Sequence, residues 1–221
     1  MKNKHLLLMS LCMFLGTTMT SISFSQKTDK EIKKDLSSKT LKIVRKEAKK
    51  LRKEGWDVLP GSLPLEKMLE KYYVKAEQEI SPGKNKYIFA EGNSVGETRS
   101  VAEVSALTFA NLNIARLIEK QIIGKINSEI ANNQLNNDDA ASVTQIIANS
   151  TELVAVQLGY GEEVVKISRI PSGNSKNSEV QLRICYEAEQ SIQIAKKVIK
   201  KELKDKLKIN EEQLNKIIDI Q

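Results

Sequence analysis

Tyr87-Ile88-Phe89-Ala90-Glu91-Gly92-Asn93-Ser94-Val95-Gly96 is the stretch on which the fold turns. Tyr87 to Ala90 reads as a short strand from its aromatic and branched content. Gly92 to Gly96 reads as a glycine-bounded turn, because glycine enters the positive-φ region that a chain reversal asks for at little steric cost. The residues behind it, up to Asn132, carry a helical period. Val101, Val104, Leu112, Ala115, Ile122, Ile126 and Ile130 fall on one face at about 100° per residue. Ala102, Ala106 and Ala110 recur every four residues on another, with Phe109 and Leu117 beside them. A ridge of alanines lets a neighbouring backbone come close. The pattern predicts a central helix whose first half is buried on two sides.

Downstream, Asn136-Asn137-Asp138-Asp139 is both a break and a capping sequence for a helix over Ala140 to Asn149. Leu153 to Leu158 fits a strand or a helix equally well. Glu163 to Ile170 and Glu179 to Tyr186 are strands joined by a loop over Pro171 to Asn177. Val165 and Ile167 alternate with Lys166 and Ser168, and Val180, Leu182, Ile184 and Tyr186 with Gln181, Arg183 and Cys185, the pattern of a sheet with one buried face. Ala188 to Leu207 is helical, and Asn210 with Gln213 caps a last short helix.

Upstream, Ile32, Leu36, Ile43, Val44, Ala48 and Leu51 make an amphipathic helix from Asp29 to Glu54, capped by Thr28 or Asp29 and stopped by Gly55. Pro60-Gly61 turns the chain, Ser62 and Pro64 open a second helix to about Ile80, and Ser81-Pro82-Gly83 ends it. Trp56, Tyr72 and Tyr73 either seal the junction of these two helices or form an aromatic shelf for a ligand.

The N-terminus has Lys2 and Lys4, an apolar run from Leu6 to Leu15, and small residues up to Ser25, the layout of a secretory signal cleaved after Ser25. The run is short for a membrane span. Cys12 lies inside it behind Leu11, where a lipoprotein signal wants a small residue. Without its first 25 residues the 221-residue chain keeps 196, enough for one domain with a core. The removal takes Cys12 and the only histidine, His5, so the mature chain has one cysteine, Cys185, and no intrachain disulfide. Its 33 Lys and Arg stand against 28 Asp and Glu, interspersed along helices as solvated faces rather than as a nucleic-acid patch.

Composition also decides how the catalytic motifs are read. Gly92-Asn93-Ser94-Val95-Gly96 matches G-x-S-x-G, and strand, turn and helix are the setting of a nucleophile elbow. The elbow serine needs a base, most often histidine, and the mature chain has none. A Ser94/lysine dyad is the hydrolase alternative, set against lysines that lie mostly on polar helix faces. Ser81-Pro82-Gly83-Lys84 matches S-x-x-K, but proline and glycine forbid the helical turn that would bring Lys84 over Ser81. Gly159-Tyr160-Gly161 lacks the third glycine and the helix of a nucleotide fingerprint. No histidine or cysteine set suits a metal, and Asp138 and Asp139 serve a helix start. No catalytic, cofactor-binding or metal-binding residue is assigned.

Gly55-Trp56, Leu63-Pro64-Leu65-Glu66, Ala90-Glu91-Gly92, Asp138-Asp139-Ala140-Ala141-Ser142 and Val180-Gln181-Leu182-Arg183-Ile184-Cys185-Tyr186 together resemble a group of uncharacterised exported proteins of Gram-negative bacteria. More distantly, residues 87 to 187 resemble surface lipoproteins of the LPP-twenty type and the N-terminal domain of the flagellar protein FlgT. The resemblance implies an α+β domain with a small antiparallel sheet and no known catalytic residues. The departure is the missing lipobox, which leaves a lipoprotein-like chain without the usual anchor.

The reading is therefore an α+β protein: a small antiparallel sheet packed against a long central alanine-rich helix, with additional N- and C-terminal amphipathic helices. Residues 1–25 are a signal peptide, 26–86 an N-terminal helical extension and 87–221 the α+β core domain with its C-terminal helices. The expected role is a non-enzymatic binding or structural module of the cell envelope; a serine hydrolase using Ser94 and a small-ligand carrier are the alternatives. Its partner would be an envelope protein or a second copy, with no nucleic acid, no cofactor, and no stable transmembrane segment after cleavage. N-terminal sequencing of exported protein should start at or near Gln26, and a chain still starting at Met1 would refute the leader.

Overall fold

The computed structural model describes residues 38–131, 137–173 and 176–207. The expected leader, the expected helix start before residue 38 and the expected short helix after residue 207 lie outside them. The order is α1 (Ser38–Lys53), β1 (Asp57–Val58), α2 (Leu65–Ala76), β2 (Glu79–Ser81), β3 (Lys84–Asn85), β4 (Tyr87–Gly96), α3 (Arg99–Ala131), α4 (Asn137–Ala148), α5 (Thr151–Leu158), β5 (Glu162–Arg169), β6 (Ser178–Glu187) and α6 (Ala188–Leu207). The chain is α+β. A four-stranded antiparallel sheet runs in the order β1-β5-β6-β4, and β2 and β3 form a separate hairpin.

Gly92 to Gly96 is not a turn. β4 runs straight through it, and Tyr87 to Gly96 pair residue for residue with Glu187 to Ser178 of β6. Neither glycine has a positive φ. Both are glycine because α3 lies directly on this strand. A Cβ on Gly92 would sit 1.9 Å from the Ala106 carbonyl oxygen and 2.6 Å from the Ala110 nitrogen, and one on Gly96 would sit 2.8 Å from the Ala102 nitrogen. The alanine ridge thus meets a glycine groove, and backbone touches backbone.

The ridge continues past the alanines. Ala102, Ala106, Ala110, Ile114, Ile118 and Ile122 recur every four residues and are all buried. Small residues occupy the half that crosses the sheet. Isoleucines occupy the half that reaches Val143 and Ile147 of α4, Val154 of α5, and Ala195, Ile199 and Leu203 of α6. Burial of each such isoleucine stabilises the fold by roughly 1.5–3 kcal/mol. A row of i, i+4 positions drifts around a helix by about 40° per step, so one row can face the sheet first and the helices afterwards. The other predicted face fails at its start. Val101 is 55% and Val104 67% exposed, because among the described residues nothing packs on the outer side of α3 before its helical neighbours arrive.

The two strand patterns are buried, but on opposite sides of the sheet. Val180, Leu182 and Ile184 face α3. Val165 and Ile167 face α1 and α2, where they meet Val44, Ala48, Leu51, Trp56, Leu65, Met68 and Leu69. A β-bulge between Glu163 and Val165 lets two residues of β5 oppose one of β6. The sheet is therefore covered on both faces, where alternation alone predicted one. Cys185, on the α2 side, is buried and free, and burial pushes its thiol up to about 11.

Local signals hold at several ends. Gly55 takes a φ of +83°, Gly55 N–H returns to the Arg52 carbonyl (3.1 Å) and Trp56 N–H to that of Leu51 (3.0 Å), a Schellman end for α1. Leu153 to Leu158 is resolved as helix α5. The second helix stops at Ala76, and the stretch expected to finish it forms the β2–β3 hairpin instead. On α3, the Glu119 carboxyl is only 3% exposed; one oxygen accepts from the Thr151 hydroxyl (2.6 Å) and the other has no partner among the described residues. Burial raises its pKa above the usual carboxylate range.

Gly92→Ala should cost about 1–3 kcal/mol, as should Ala106→Leu on the other side of the contact. Gly124→Ala should do the opposite and add about 0.5–1 kcal/mol, since Gly124 is helical and a Cβ there meets nothing within 4 Å. Urea unfolding of the three variants measures both signs; a Gly92→Ala chain as stable as its parent would mean that helix and strand do not touch.

Candidate functional site

Ser94 sits in the regular part of β4, opposite Val180, which is itself opposite Ser168. On the same face, one row along, are Gly92, Leu182 and Lys166. Lys166 is the partly buried lysine nearest in the sheet pattern, yet it lies two strands from Ser94, about 10 Å at the usual strand spacing. Its ammonium is held by Glu103 (2.6 Å) and Glu163 (2.8 Å). Burial pushes its pKa down, but the hydrogen bonds it donates to these carboxylates, with their charge, outweigh burial and raise it, the wrong direction for a general base. Ser81 and Lys84 are the neighbouring ends of the β2–β3 hairpin, and Lys84 is turned outward onto Glu189 (2.8 Å).

The other face of the sheet holds a denser constellation. Phe89 and Glu91 of β4 and Arg183 of β6 point to the side that α1 and α2 cover. A cavity of about 380 Å³ remains there, lined by Glu47 of α1, Tyr72 and Tyr73 of α2, and Phe89, Glu91 and Arg183. Tyr72 meets Tyr73 and Phe89 edge to face, with ring centroids 5.1 and 5.0 Å apart. The Arg183 guanidinium lies 5.2 Å from the Tyr72 ring and bridges Glu47 (2.8 Å) and Glu91 (3.0 Å). Burial lowers its pKa and Glu47 and Glu91 more than restore it, so it stays charged.

Glu47 is fully engaged, one oxygen on Arg183 and the other accepting from the Tyr73 hydroxyl (2.8 Å). Burial and then Glu47 push Tyr73 up to about 12. Glu91 differs. Its side chain is 46% exposed, and only one of its carboxylate oxygens is taken by Arg183. Two carboxylates against one guanidinium leave the site with one excess negative charge beside three aromatic rings. Such a site suits a cation better than an anion.

Of the aromatic residues named from sequence, Trp56 seals the junction: it is buried, with the Arg169 guanidinium 4.4 Å from its ring. Tyr72 and Tyr73 line the cavity. Sequence reading missed Glu47, Glu91 and Arg183 as a set, although an arginine in the middle of a strand as apolar as Val180 to Tyr186 was a visible anomaly.

A second concavity of about 430 Å³ lies between α3 and α5, lined by Thr108, Asn111, Leu112, Val156 and Tyr160 among others. Val156 and Tyr160 are mostly exposed. Among the described residues no three His, Cys, Asp or Glu come together to hold a metal ion. One described helical segment, Arg99–Lys125 of α3, is long and apolar enough to cross a membrane, and it carries the ridge that packs on the sheet. Comparison with protein-family models, curated proteins and solved structures finds no match.

Arg183→Met keeps most of the stem and strands two carboxylates, so it should cost about 1–3 kcal/mol, less than a fully buried pair because Glu91 reaches water. In a Glu47→Gln background the same change should cost less. A double-mutant cycle by urea unfolding reads the difference, and additive losses would show that Arg183 and Glu47 do not depend on each other.

Proposed function

We propose that this chain is an exported, non-enzymatic binding module of a Gram-negative cell envelope, acting in the periplasm or at the outer envelope, with the Tyr72, Phe89, Glu91 and Arg183 cavity as its binding site. The preformed cavity carries the reading. Its rings and charged groups are fixed by packing and ion pairs before any ligand arrives, which lowers the ordering cost of binding. Export rests on the leader layout of residues 1–25. The non-enzymatic reading is supported by Ser94, which lies in a paired strand with Lys166 remote and fully charged. Interspersed surface charge favours a protein partner over nucleic acid.

A small-ligand carrier is the second reading, and the apolar groove of Leu112, Val156 and Tyr160 favours it. The two separate in one experiment. Mature protein, immobilised, is exposed to envelope extract alongside Glu91→Lys and Tyr160→Ala variants of matched thermal stability. The expected result is a retained protein that Glu91→Lys loses and Tyr160→Ala keeps. Retention by both variants would refute the cavity as the site, and a fluorophosphonate adduct at Ser94 would refute the non-enzymatic reading.

A further inference from the structure

Two residues that line the cavity, Phe89 and Glu91, belong to the end strand of the sheet. β4 pairs with β6 along one side, and among the described residues no strand pairs with the other. In an antiparallel strand the N–H and C=O of one residue point to the same edge, and successive residues alternate. The Asn113 side-chain amide donates to the Glu91 carbonyl (2.8 Å) from α3. The backbone groups of Glu91, and with them those of Phe89 and Asn93, therefore point to the open edge.

Phe109 and Leu117 stand one turn on either side of Asn113 and are 48% and 41% exposed. They flank this edge from the α3 side, as Tyr72 flanks it from the α2 side. The result is a trough between apolar side chains whose floor is the edge of β4, where Asn113 holds the Glu91 carbonyl and, among the described residues, the edge-facing peptide groups of Phe89 and Asn93 have no backbone partner, which is the surface an added strand needs. Directly opposite residues of paired strands share a face. Side chains of an added strand lying opposite Phe89 or Glu91 would thus project toward the Tyr72 and Arg183 cavity.

The geometry points to an extended peptide as the occupant, added as a fifth strand along β4, with a lysine or arginine side chain seated against the free oxygen of Glu91 beside the Tyr72 and Phe89 rings. This rests on the reading of the cavity as a binding site and names its partner's chemistry. On the α2 side of the edge, charge complementarity selects the basic side chain: an acidic one would face Glu47 and Glu91, between which Arg183 is already shared, while Arg116 stands on the α3 side, donating to Asn113 Oδ1 (3.1 Å). A second copy fits less well, because symmetric β4 pairing centred near Glu91 brings two Glu91 carboxylates together. Asn113 acts as a stopper on the edge, and the incoming strand replaces it at the Glu91 carbonyl.

The test uses the mature chain, labelled for NMR, and blocked pentapeptides Thr-Val-Lys-Val-Thr and Thr-Val-Glu-Val-Thr. The lysine peptide should bind about tenfold more tightly than the glutamate peptide. Amide exchange should slow at Phe89, Glu91 and Asn93. Glu91→Gln, checked for an unchanged melting profile, should reduce the lysine preference, and Asn113→Ala should bind the lysine peptide more tightly than the parent. Equal affinity for the two peptides, binding that leaves the edge amides unprotected, or protection of those amides by self-association alone would each overturn the proposal. If neither peptide binds while Glu91→Lys still loses the envelope partner, the basic-strand proposal falls and the cavity remains the binding site.

Discussion

The contact between the backbone of α3 and that of β4 is the constraint on which the rest of this structure depends. Ala106 and Ala110 come so close to Gly92 that a single added methyl would overlap the helix backbone. Close approach at one point fixes the helix in height and angle over the sheet. The second half of the ridge, Ile114 to Ile122, then has to leave the sheet, and the space under it is filled by α4, α5 and α6. One local steric match thus sets where three further helices can dock.

The sheet is also a barrier between two sets of partly buried charges. On the α3 side, Lys166 is held by Glu103 and Glu163. On the α2 side, Arg183 is held by Glu47 and Glu91. Both cations are partly shielded, and each has two carboxylates, which offsets the cost of removing it from water. A cavity of about 380 Å³ lies beside the second set. α1 and α2 dock on β5 and β6 and stop short of the outer edge of β4, so Phe89, Glu91 and the face of Tyr72 line a cavity instead of a core. The binding reading follows from that incomplete cover: the same side chains under a longer α2 would be ordinary buried residues.

Periodicity made part of this legible in the chain itself. Ala102, Ala106 and Ala110, small and four apart, marked a helix face made for close contact, and strands β5 and β6 and helix α6 lie where alternation and the Ile192 to Leu203 stripe put them. The absence of any histidine beyond His5 was a compositional fact that spoke against a nucleophile elbow at Ser94 before any geometry was known. These features were readable because each depends on neighbours within a turn or two, through hydrogen bonding, side-chain direction and glycine or proline stereochemistry.

Tertiary structure decided the remainder. Glycine serves both a tight turn and a close approach, and only the arrival of Ala106 at Gly92 tells which is needed. Val101 and Val104 share the apolar character of Ile114 and Ile118, but whether an apolar helix face is buried depends on what else packs there. Val165 and Val180 alternate identically along their strands, and only the docking of α1 and α2 on one side and α3 on the other shows that both sheet faces are covered. Glu47, Glu91 and Arg183 come from three distant segments and meet because the strand order brings β4 beside β6 under α1. Pattern along a chain specifies which faces each element can bury; the chain's three-dimensional path specifies which of them are, because burial is a property of the pair in contact and not of either partner alone.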